Sequence, residues 1–531
     1  MRWTAMCGRS TGTDRLPAAL KRQFRTIRNW ISGAPTSIVP AKVGGRGSTM
    51  ASKPGQTLDV SGYMQGLQFN RYHLTLLVLC ALVTFFDGQD FSALAYALPY
   101  IRDEMQISDE MTGYVSSAAF LGQMIGSLFG SYLGDIFGRR PVIIVSTIGS
   151  AVLTTLVGFA SSPEMLIGLR FVSGLAIGGL LAPVWALGIE SMPKSMRATS
   201  VAIIMMGFSF GGASAAPIAN WTAPVLGWQG IFWVCGAMTG VFALILFFML
   251  PESTRWMVAT GKPRTRIAPM LARFNPDFEL QHYDKFILSD ERKVQLNEDG
   301  NVNVLLRQGI NFVLRVRELF IGKLAFITLC IWAAYFCSSF AIYLKSAYGV
   351  IFMENLGIER QNAAWLGSIG AILGALGGAL LLALTERRGP GWITLAPLIG
   401  IPFVALVGTG YVLGGPALIP VLLIGAVMVG AGHAAVISIT SIYYPSAVRA
   451  TGGGWASFMA KFAAVAAPIY GSQFLVGDGD VMAKQIGAMD GYMFTVLCLA
   501  GIVLFVLVLS WFVRGMNEEQ ERASAAAQPA E

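Results

Sequence analysis

The sequence predicts an all-α membrane protein, with twelve transmembrane helices arranged as two pseudo-symmetric six-helix bundles. Three observations support this fold class. Hydrophobic residues make up 54% of the 531 residues and charged residues only 13%, which is about half the charged share of a soluble domain. Apolar runs of about 20 residues, long enough to cross a bilayer as a helix, recur along the chain. The net charge is +8, yet the basic residues lie in loops between apolar runs, which favours a membrane over nucleic acid as the partner.

The apolar runs occur in two groups of six, separated by a polar segment of mixed charge. The first group of predicted spans is 74–98, 112–134, 141–160, 165–188, 199–222 and 229–250. The second group is 321–344, 363–385, 392–413, 418–443, 453–476 and 490–513. The chain is therefore predicted to consist of an N-terminal tail, a first bundle, a central loop, a second bundle and a C-terminal tail, at 1–73, 74–250, 251–320, 321–513 and 514–531.

The distribution of lysine and arginine predicts the orientation of the spans. Most of these residues lie in the two tails, the central loop and the loops after even-numbered spans. The opposite loops are rich in acidic residues such as Asp103 and Glu104, and Lys345 is assigned to one of them. Since basic loops stay in the cytoplasm, we expect a multi-pass protein of the cell inner (plasma) membrane with both termini cytoplasmic. Residues 1–49 are either an Arg-rich targeting segment or a stretch that precedes a translation start at Met50.

Motifs for enzymatic chemistry are missing from the sequence. The six cysteines include no CxxC pair, and five of them lie inside apolar runs, as small core residues do. No nucleotide-binding Walker motif, HExxH motif or metal-ligand cluster occurs, and the chain has only three histidines. We therefore expect a protein that is not an enzyme, holds no metal or cofactor, and contacts membrane lipid but not nucleic acid. We expect it to function as a monomer.

The two halves share short motifs in equivalent loops. Asp135 and the following Arg139-Arg140, after the second span, correspond to Glu386-Arg387-Arg388 after the eighth. Arg197-Ala198-Thr199 after the fourth span corresponds to Arg449-Ala450-Thr451 after the tenth. The offsets are 251 and 252 residues, and this agreement indicates a duplicated six-helix unit. Transporters built from such repeats place the substrate site between the halves, near the bilayer midplane.

Several stretches resemble motifs of the major facilitator superfamily. Gly130–Arg140 resembles its loop 2–3 signature, and Arg170–Gly179 resembles its fourth-helix signature. Pro251–Trp256 is similar to the motif shared by its sugar and organic-ion branches. The resemblance covers roughly residues 60–515. It implies the major facilitator fold and secondary active transport by alternating access.

Two further stretches resemble a narrower group, the aromatic acid:proton symporters such as 4-hydroxybenzoate and protocatechuate permeases. Asp87-Gly88-Gln89-Asp90 resembles their DGxD element in span one, and Arg449–Gly452 matches their RATG stretch after span ten. The arginine that follows twelve residues later in that family is Lys461 here, and the loop after span eight has Glu386 but no histidine. The resemblance implies import of a small aromatic carboxylate together with protons, which act as the coupling ion.

Other functions are compatible with the same motifs. Pro251–Trp256 alone would also permit a carrier of sugars, organic cations or aliphatic organic acids, or an efflux pump. A sensor built on a transporter scaffold is a further alternative, although the central loop is short and highly charged for a signalling domain.

Ionisable residues within the spans are candidates for proton coupling. Asp87 and Asp90 lie one helical turn apart on one face of span one, where two carboxylates cannot easily both ionise. Inserting a charged side chain at the bilayer centre costs about 2.5–3.5 kcal/mol of free energy on insertion scales, so such a residue usually has a function. Arg170 in span four could neutralise a carboxylate, and His433 in span ten could relay a proton. The structural alternatives are an ion pair that only holds helices together and a neutral packing histidine.

Lys461, Tyr335 and Arg449 are the candidates for substrate binding. The family position favours carboxylate binding by Lys461, whereas a lysine that snorkels to the interface is the structural alternative. Span seven contains four aromatic residues that could stack on a flat ring, namely Trp332, Tyr335, Phe336 and Tyr343. Tyr335 is the best of the four because it is mid-span and has a hydroxyl, although aromatic runs more often face lipid or core.

Charged residues on the cytoplasmic side are expected to form a conformational latch, which holds one transport state and releases in the other. These residues are Asp135, Arg139, Arg140, Arg197 and Glu386. Glycines recur every four residues along span two, at 122, 126, 130 and 134. This spacing permits close approach to a neighbouring helix.

Overall fold

Helices account for most of the chain in the computed structural model, which describes residues 56–275, 283–289, 316–317, 319–388, 390–444, 449–476 and 480–526. The N-terminal half comprises β1 (Gln56–Asp59), α1 (Val60–Gly66), α2 (Arg71–Met105), α3 (Asp109–Phe137), α4 (Arg139–Val157), α5 (Pro163–Ser191) and α6 (Arg197–Met249). The short elements α7 (Thr254–Ala259), α8 (Arg264–Phe274) and β2 (Tyr283–Ile287) follow. The C-terminal half comprises α9 (Lys323–Asn355), α10 (Arg360–Arg388), α11 (Leu395–Gly408), α12 (Leu418–Val436), α13 (Ile439–Tyr443), α14 (Arg449–Gly471) and α15 (Val481–Ala526).

The long helix α6 contains two of the predicted spans. It changes direction at Gly227, whose φ of 67° lies in the left-handed region that glycine adopts without strain. With α6 divided there, each predicted span falls on a helix, and the predicted fold class is confirmed. By length and composition, nine helices of the described part could cross a membrane. Helices α3 and α14 fall outside that set because their glycine, serine and charged residues lower their mean hydropathy.

Glycine lets helices of the N-terminal half approach to backbone contact. Helix α3 packs against α5, as the four-residue glycine spacing predicts. A Cβ added at Gly126 would overlap the carbonyl oxygen of Leu175, and one added at Gly130 would overlap the backbone of Gly179. Helix α2 approaches α6 in the same way at Gly88. Any side chain at these positions would force the helices apart.

Helix α9 is longer than the predicted span 321–344. It continues to Asn355 and ends before Gly357, which has a φ of 91°. Lys345 therefore lies inside the helix, and its assignment to an outer loop is wrong. The apolar run stops at this lysine, but a single charge does not end a helix, and α9 continues through Gly349 to Asn355.

The helices begin and end at two faces of the bundle. We call the face with the loops after α2, α4 and α9 the Asp103 end, and the opposite face, with the turn between α3 and α4, the Arg139 end. At the Arg139 end, β1 and β2 pair as a two-stranded parallel sheet. Asp59 caps α1 and also accepts hydrogen bonds from the backbone N–H and the hydroxyl of Ser289, at 3.1 and 2.6 Å. Burial opposes ionisation of Asp59, but the hydrogen bonds outweigh this effect and lower its pKa. The segment before α2 is thus joined to the segment between the halves.

Polar contacts between the two halves occur towards the Asp103 end. Arg360 Nη2 lies 2.8 Å from Asp103 Oδ2, and its guanidinium carbon lies 4.5 Å from the centre of the Tyr100 ring. Nearer the middle, the Ser117 hydroxyl donates to the carbonyl oxygen of Val465 at 2.8 Å. These contacts hold the halves together at the Asp103 end.

A cavity separates the halves over the remaining depth. Its lining reaches Trp185 near the end of α5 and Leu382 near the end of α10, both in the parts of these helices that approach the Arg139 end. The structure therefore has its halves in contact at the Asp103 end and separated towards the Arg139 end. With the orientation that the basic loops predict, the cavity faces the cytoplasm.

This orientation predicts which residues an impermeant reagent reaches. Arg266 on α8 and Asp103 are both exposed, and they lie at opposite ends of the bundle. We expect Asp103→Cys to react with an impermeant maleimide added to intact cells, and Arg266→Cys to react only after the membrane is permeabilised. Labelling would be measured on a chain without its native cysteines. The reverse pattern would place the termini outside.

Candidate functional site

Asp90 and Arg170 form a buried ion pair within the N-terminal half. Arg170 Nη1 lies 3.2 Å from Asp90 Oδ2, and the two side chains are 2% and 3% exposed. The Thr154 hydroxyl donates a second hydrogen bond, of 2.5 Å, to Asp90 Oδ1. The guanidinium carbon of Arg170 lies 6.0 Å from the centre of the Phe232 ring. The charge of Asp90 is therefore neutralised by a close partner, as a buried carboxylate requires.

Asp87 lies one turn earlier on α2 and has a different environment. It is 2% exposed, and neither carboxylate oxygen accepts a hydrogen bond from any described residue. A link to a cation runs through Gln123, which lines the same small pocket as Asp87 and contacts Lys461 on α14 of the other half. Lys461 Nζ donates its hydrogen bond to Gln123 Oε1 on α3. The two carboxylates of span one are thus not equivalent, because only Asp90 has a hydrogen-bonded counter-charge.

The cavity between the halves has a volume of about 720 Å³, which is within the range of small-molecule sites. Most of its lining is apolar, with polar groups supplied by Tyr335, Tyr343, Lys345, His433 and Lys461. A pocket of about 30 Å³ adjoins it and contains Asp87, Asp90 and Arg170 in its wall, together with Phe91 and Gln123, which also line the cavity. The buried carboxylates therefore lie beside a space that a single-ring compound could occupy.

Aromatic side chains from both halves meet at this cavity. The ring of Tyr343 lies 5.0 Å from that of Phe120 and 5.9 Å from that of Phe91, centre to centre. Phe91 in turn lies 5.4 Å from Phe208. Sequence reasoning missed the three phenylalanines, because each lies on a different helix among other phenylalanines. Their spacing along the chain carries no signal that they meet.

The residues predicted in the C-terminal half lie on the same cavity. The Tyr335 hydroxyl donates to the carbonyl oxygen of Ile437 at 2.6 Å, just past the end of α12. His433 Nδ1 lies 3.0 Å from the Ser338 hydroxyl. This geometry suits either predicted role of His433, a proton relay or a hydrogen-bonded packing residue. The side chain of Arg449 lies outside the part of the chain that the structure describes.

A second group of charges lies at the Arg139 end. Arg139 Nη2 lies 3.0 Å from Asp135 Oδ1 and 3.1 Å from Glu190 Oε1. The carboxylate of Glu252 accepts hydrogen bonds from the backbone N–H groups of Arg139 and Arg140, at 3.0 and 3.2 Å. Burial raises the pKa of Glu252, although these N–H donors act against the shift. We call these five residues the Arg139 cluster.

The expected latch residues are only partly assembled in this cluster. Asp135, Arg139 and Arg140 belong to it, whereas Arg197 donates from Nε to the carbonyl oxygen of Met192 at 3.4 Å. The side chain of Glu386 lies outside the described residues. Sequence reasoning missed Glu190 and Glu252 as partners. Glu252 belongs to the Pro251–Trp256 motif, so the motif could have indicated that this carboxylate has a partner at the Arg139 end.

The cluster predicts that Glu190 matters more than Asp135 for transport. The Asp135 side chain is 72% exposed and that of Glu190 is 15% exposed, and exposed ion pairs contribute about 0–1 kcal/mol. Glu190 also accepts a hydrogen bond of 2.5 Å from the Ser253 hydroxyl. We expect Glu190→Gln to lower the initial uptake rate several-fold more than Asp135→Asn does, at equal amounts of protein in the membrane. Equal rates for the two variants would contradict this assignment.

Metal binding has no evident basis in the described residues, where no group of three or more His, Cys, Asp or Glu side chains could hold an ion. The chemistry available at the cavity is instead that of carboxylates, ammonium groups, an imidazole and aromatic rings.

Comparison with known proteins places the chain among transporters. The family model described as Major Facilitator Superfamily matches residues 80–468. A 4-hydroxybenzoate transporter of Acinetobacter baylyi is 25% identical over 410 residues, covering 77% of this chain and 86% of the relative. A gallate transporter of Pseudomonas putida is 27% identical over 454 residues, covering 85% and 95%.

Solved structures share the fold. A bacterial homologue of the human lysosomal transporter Spinster, in an inward-facing and occupied conformation, superposes with a TM-score of 0.63 at 16% sequence identity. The match covers 84% of this chain and 98% of that structure. At this identity the likeness concerns the arrangement of helices alone.

Proposed function

This chain belongs to the Major Facilitator Superfamily, a family of transporters and not of enzymes, and we propose that it imports an aromatic carboxylic acid together with protons by alternating access. The observation that carries the proposal is Asp87, a buried carboxylate with no hydrogen-bond partner among the described residues, which lines the small pocket that adjoins the cavity. The relatives named for 4-hydroxybenzoate and gallate support the choice of substrate class.

The arrangement of charges supports an anion as the substrate. Lysines line the cavity from the C-terminal half at 345 and 461, and Arg170 of the N-terminal half lines the adjoining pocket. Sugars would need many hydroxyl partners, and an organic cation would meet like charges here. Aromatic rings from α2, α3 and α9 offer edges and faces on which a flat ring packs. An aromatic carboxylate combines both requirements.

Proton coupling follows from competition for Lys461. When Asp87 is ionised, its charge attracts Lys461 and opposes a second anion in the cavity. Protonation of Asp87 removes that opposition and leaves the Lys461 ammonium available to a substrate carboxylate. Proton and substrate then favour each other's binding, and this linkage is reciprocal. We propose Asp87 as the proton site, with Asp90, Arg170 and His433 as the groups that set the surrounding charge.

Substrate is proposed to occupy the cavity between Lys461 and Tyr335, and Arg449 is retained as a further candidate for substrate binding. The Arg139 cluster then belongs to the conformational change and not to substrate binding. Since each charge that crosses the membrane contributes about 2.3 kcal/mol per 100 mV, an excess of protons over substrate anions draws the acid inward.

Uptake by whole cells tests the proposal directly. We expect cells that produce the protein to accumulate radiolabelled 4-hydroxybenzoate above the external concentration, and a protonophore to abolish the accumulation. A sugar or aliphatic-acid carrier would not accumulate this compound, an efflux pump would lower its internal concentration, and a sensor would bind it without accumulation. Any of these three results would reject the proposal.

A further inference from the structure

Lys345 is a charged residue within helix α9 to which the transport scheme above assigns no step. It lines the central cavity and is partly exposed there. Its one hydrogen-bond partner among the described residues is the carbonyl oxygen of Ala426, 3.1 Å from Nζ. An ammonium group has three N–H donors, so two of them are not used by this contact.

The other basic side chains of the cavity and its adjoining pocket have side-chain partners. Arg170 forms an ion pair with Asp90, and Lys461 Nζ donates to Gln123 Oε1, which lines the same pocket as Asp87. Lys345 is thus the cation of the described cavity wall that faces no carboxylate. A positive charge within a membrane span is costly and as a rule has a partner or a function. The missing partner of Lys345 would be an anion.

The surroundings of Lys345 leave room for such an anion. Lys345 and Gly370 of α10, which has no side chain to fill the space, both line the cavity of about 720 Å³. Tyr343, two residues earlier on α9, belongs to the aromatic group at the same cavity. A cation with unused donors and aromatic rings therefore border one space.

We propose that Lys345 binds the carboxylate of the transported acid. This inference rests on the proposed function and adds to it that the two lysines of the cavity have different roles. Lys345, which faces no carboxylate, is available to the substrate anion throughout the cycle, and Lys461 becomes available to the same anion once a proton has neutralised Asp87. Lys345 lies in the second half of α9, towards the Asp103 end, so a substrate that enters from the Arg139 end reaches it at the deep end of the cavity.

Binding of an acid and of its neutral amide separates this role from a structural one. The purified protein in lipid nanodiscs would be titrated with radiolabelled 4-hydroxybenzoate and, in competition, with 4-hydroxybenzamide. We expect Lys345→Met to weaken acid binding about 10- to 100-fold, the usual effect of losing one charged hydrogen bond, while amide binding changes less than about 2-fold. Lys345→Arg should retain most of the affinity for the acid. Lys285→Met, the same replacement at an exposed residue of β2, should leave both affinities unchanged.

The outcomes distinguish this inference from the proposed function. Wild-type binding of the acid with equal affinity in Lys345→Met would overturn the role of Lys345 and leave the proposed function intact. An equal loss of acid and amide binding in Lys345→Met, with no recovery in Lys345→Arg, would show a packing role and would also overturn it. A wild-type protein that binds no aromatic acid would overturn the proposed function and this inference with it.

Discussion

Replacing Asp87 with asparagine is expected to abolish uphill accumulation of substrate while leaving exchange of substrate for substrate. The amide has nearly the shape of the protonated acid, so the cavity should still accept an anion. It can neither take up nor release a proton, so the gradient no longer drives the cycle. We expect the ratio of internal to external substrate to fall to about 1, with most of the pH dependence of uptake lost. Proteoliposomes with an imposed pH gradient measure both quantities.

A matched replacement outside the cavity controls for this experiment. Asp480 precedes α15 and is exposed, and asparagine can replace it in its hydrogen bond to the Ala483 N–H. Asp480→Asn should therefore accumulate substrate normally. If Asp87→Asn also accumulated substrate against a gradient with normal pH dependence, Asp87 would be structural, and Asp90, Arg170 and His433 would be the next coupling candidates.

Removal of Arg170 is expected to have the largest effect on stability. Arg170→Met leaves the Asp90 carboxylate buried with the Thr154 hydroxyl as its remaining hydrogen-bond donor. Breaking a buried ion pair from one side costs about 3–5 kcal/mol. We expect the amount of folded protein and its resistance to thermal unfolding to fall strongly. Adding Asp90→Asn to this variant removes the uncompensated charge and should restore a large part of both.

The wild-type protein, the single variants Arg170→Met and Asp90→Asn, and the double variant form a double-mutant cycle. The cycle separates the interaction energy of the two residues from the effect of each replacement alone. Thermal unfolding in detergent gives the stability of each chain, and uptake at two pH values gives its coupling. If the effects of Arg170→Met and Asp90→Asn were additive, the ion pair would not be the source of the stability.

The sequence was sufficient for the architecture because membrane helices have a strong local signal. Each span is a run of about 20 apolar residues, and basic loops alternate with acidic ones, so no tertiary information was needed. The exceptions have local causes. The apolar run in α9 stops at Lys345, although the helix continues to Asn355. In α6, Gly227 has a positive φ and changes the direction of the helix, but the two parts still follow each other without a loop between them.

Only the charged residues of the candidate site could be predicted from the sequence. Asp87, Asp90, Arg170 and Lys461 stand out because ionisable residues are rare in apolar spans, and in the structure they line the cavity or the small pocket that adjoins it. Their pairing was not predictable, since the three-residue spacing of the two aspartates does not say which of them meets Arg170. The aromatic side chains of α2 and α3 were missed because phenylalanine occurs in most of the predicted spans, and only the packing of separate helices brings these residues together.

The pairing of β1 with β2 sets an order for biosynthesis. The second strand leaves the ribosome roughly 230 residues after the first, which takes about 10–45 s at 5–20 residues per second. Throughout that interval six hydrophobic segments are inserted into the membrane while the first strand has no edge to pair with. The sheet can close only when the N-terminal half has been made, so its formation marks the completion of that half. The first strand has only four residues and ends in Asp59. Short length and a charged residue both disfavour pairing with a strand of another chain during that interval.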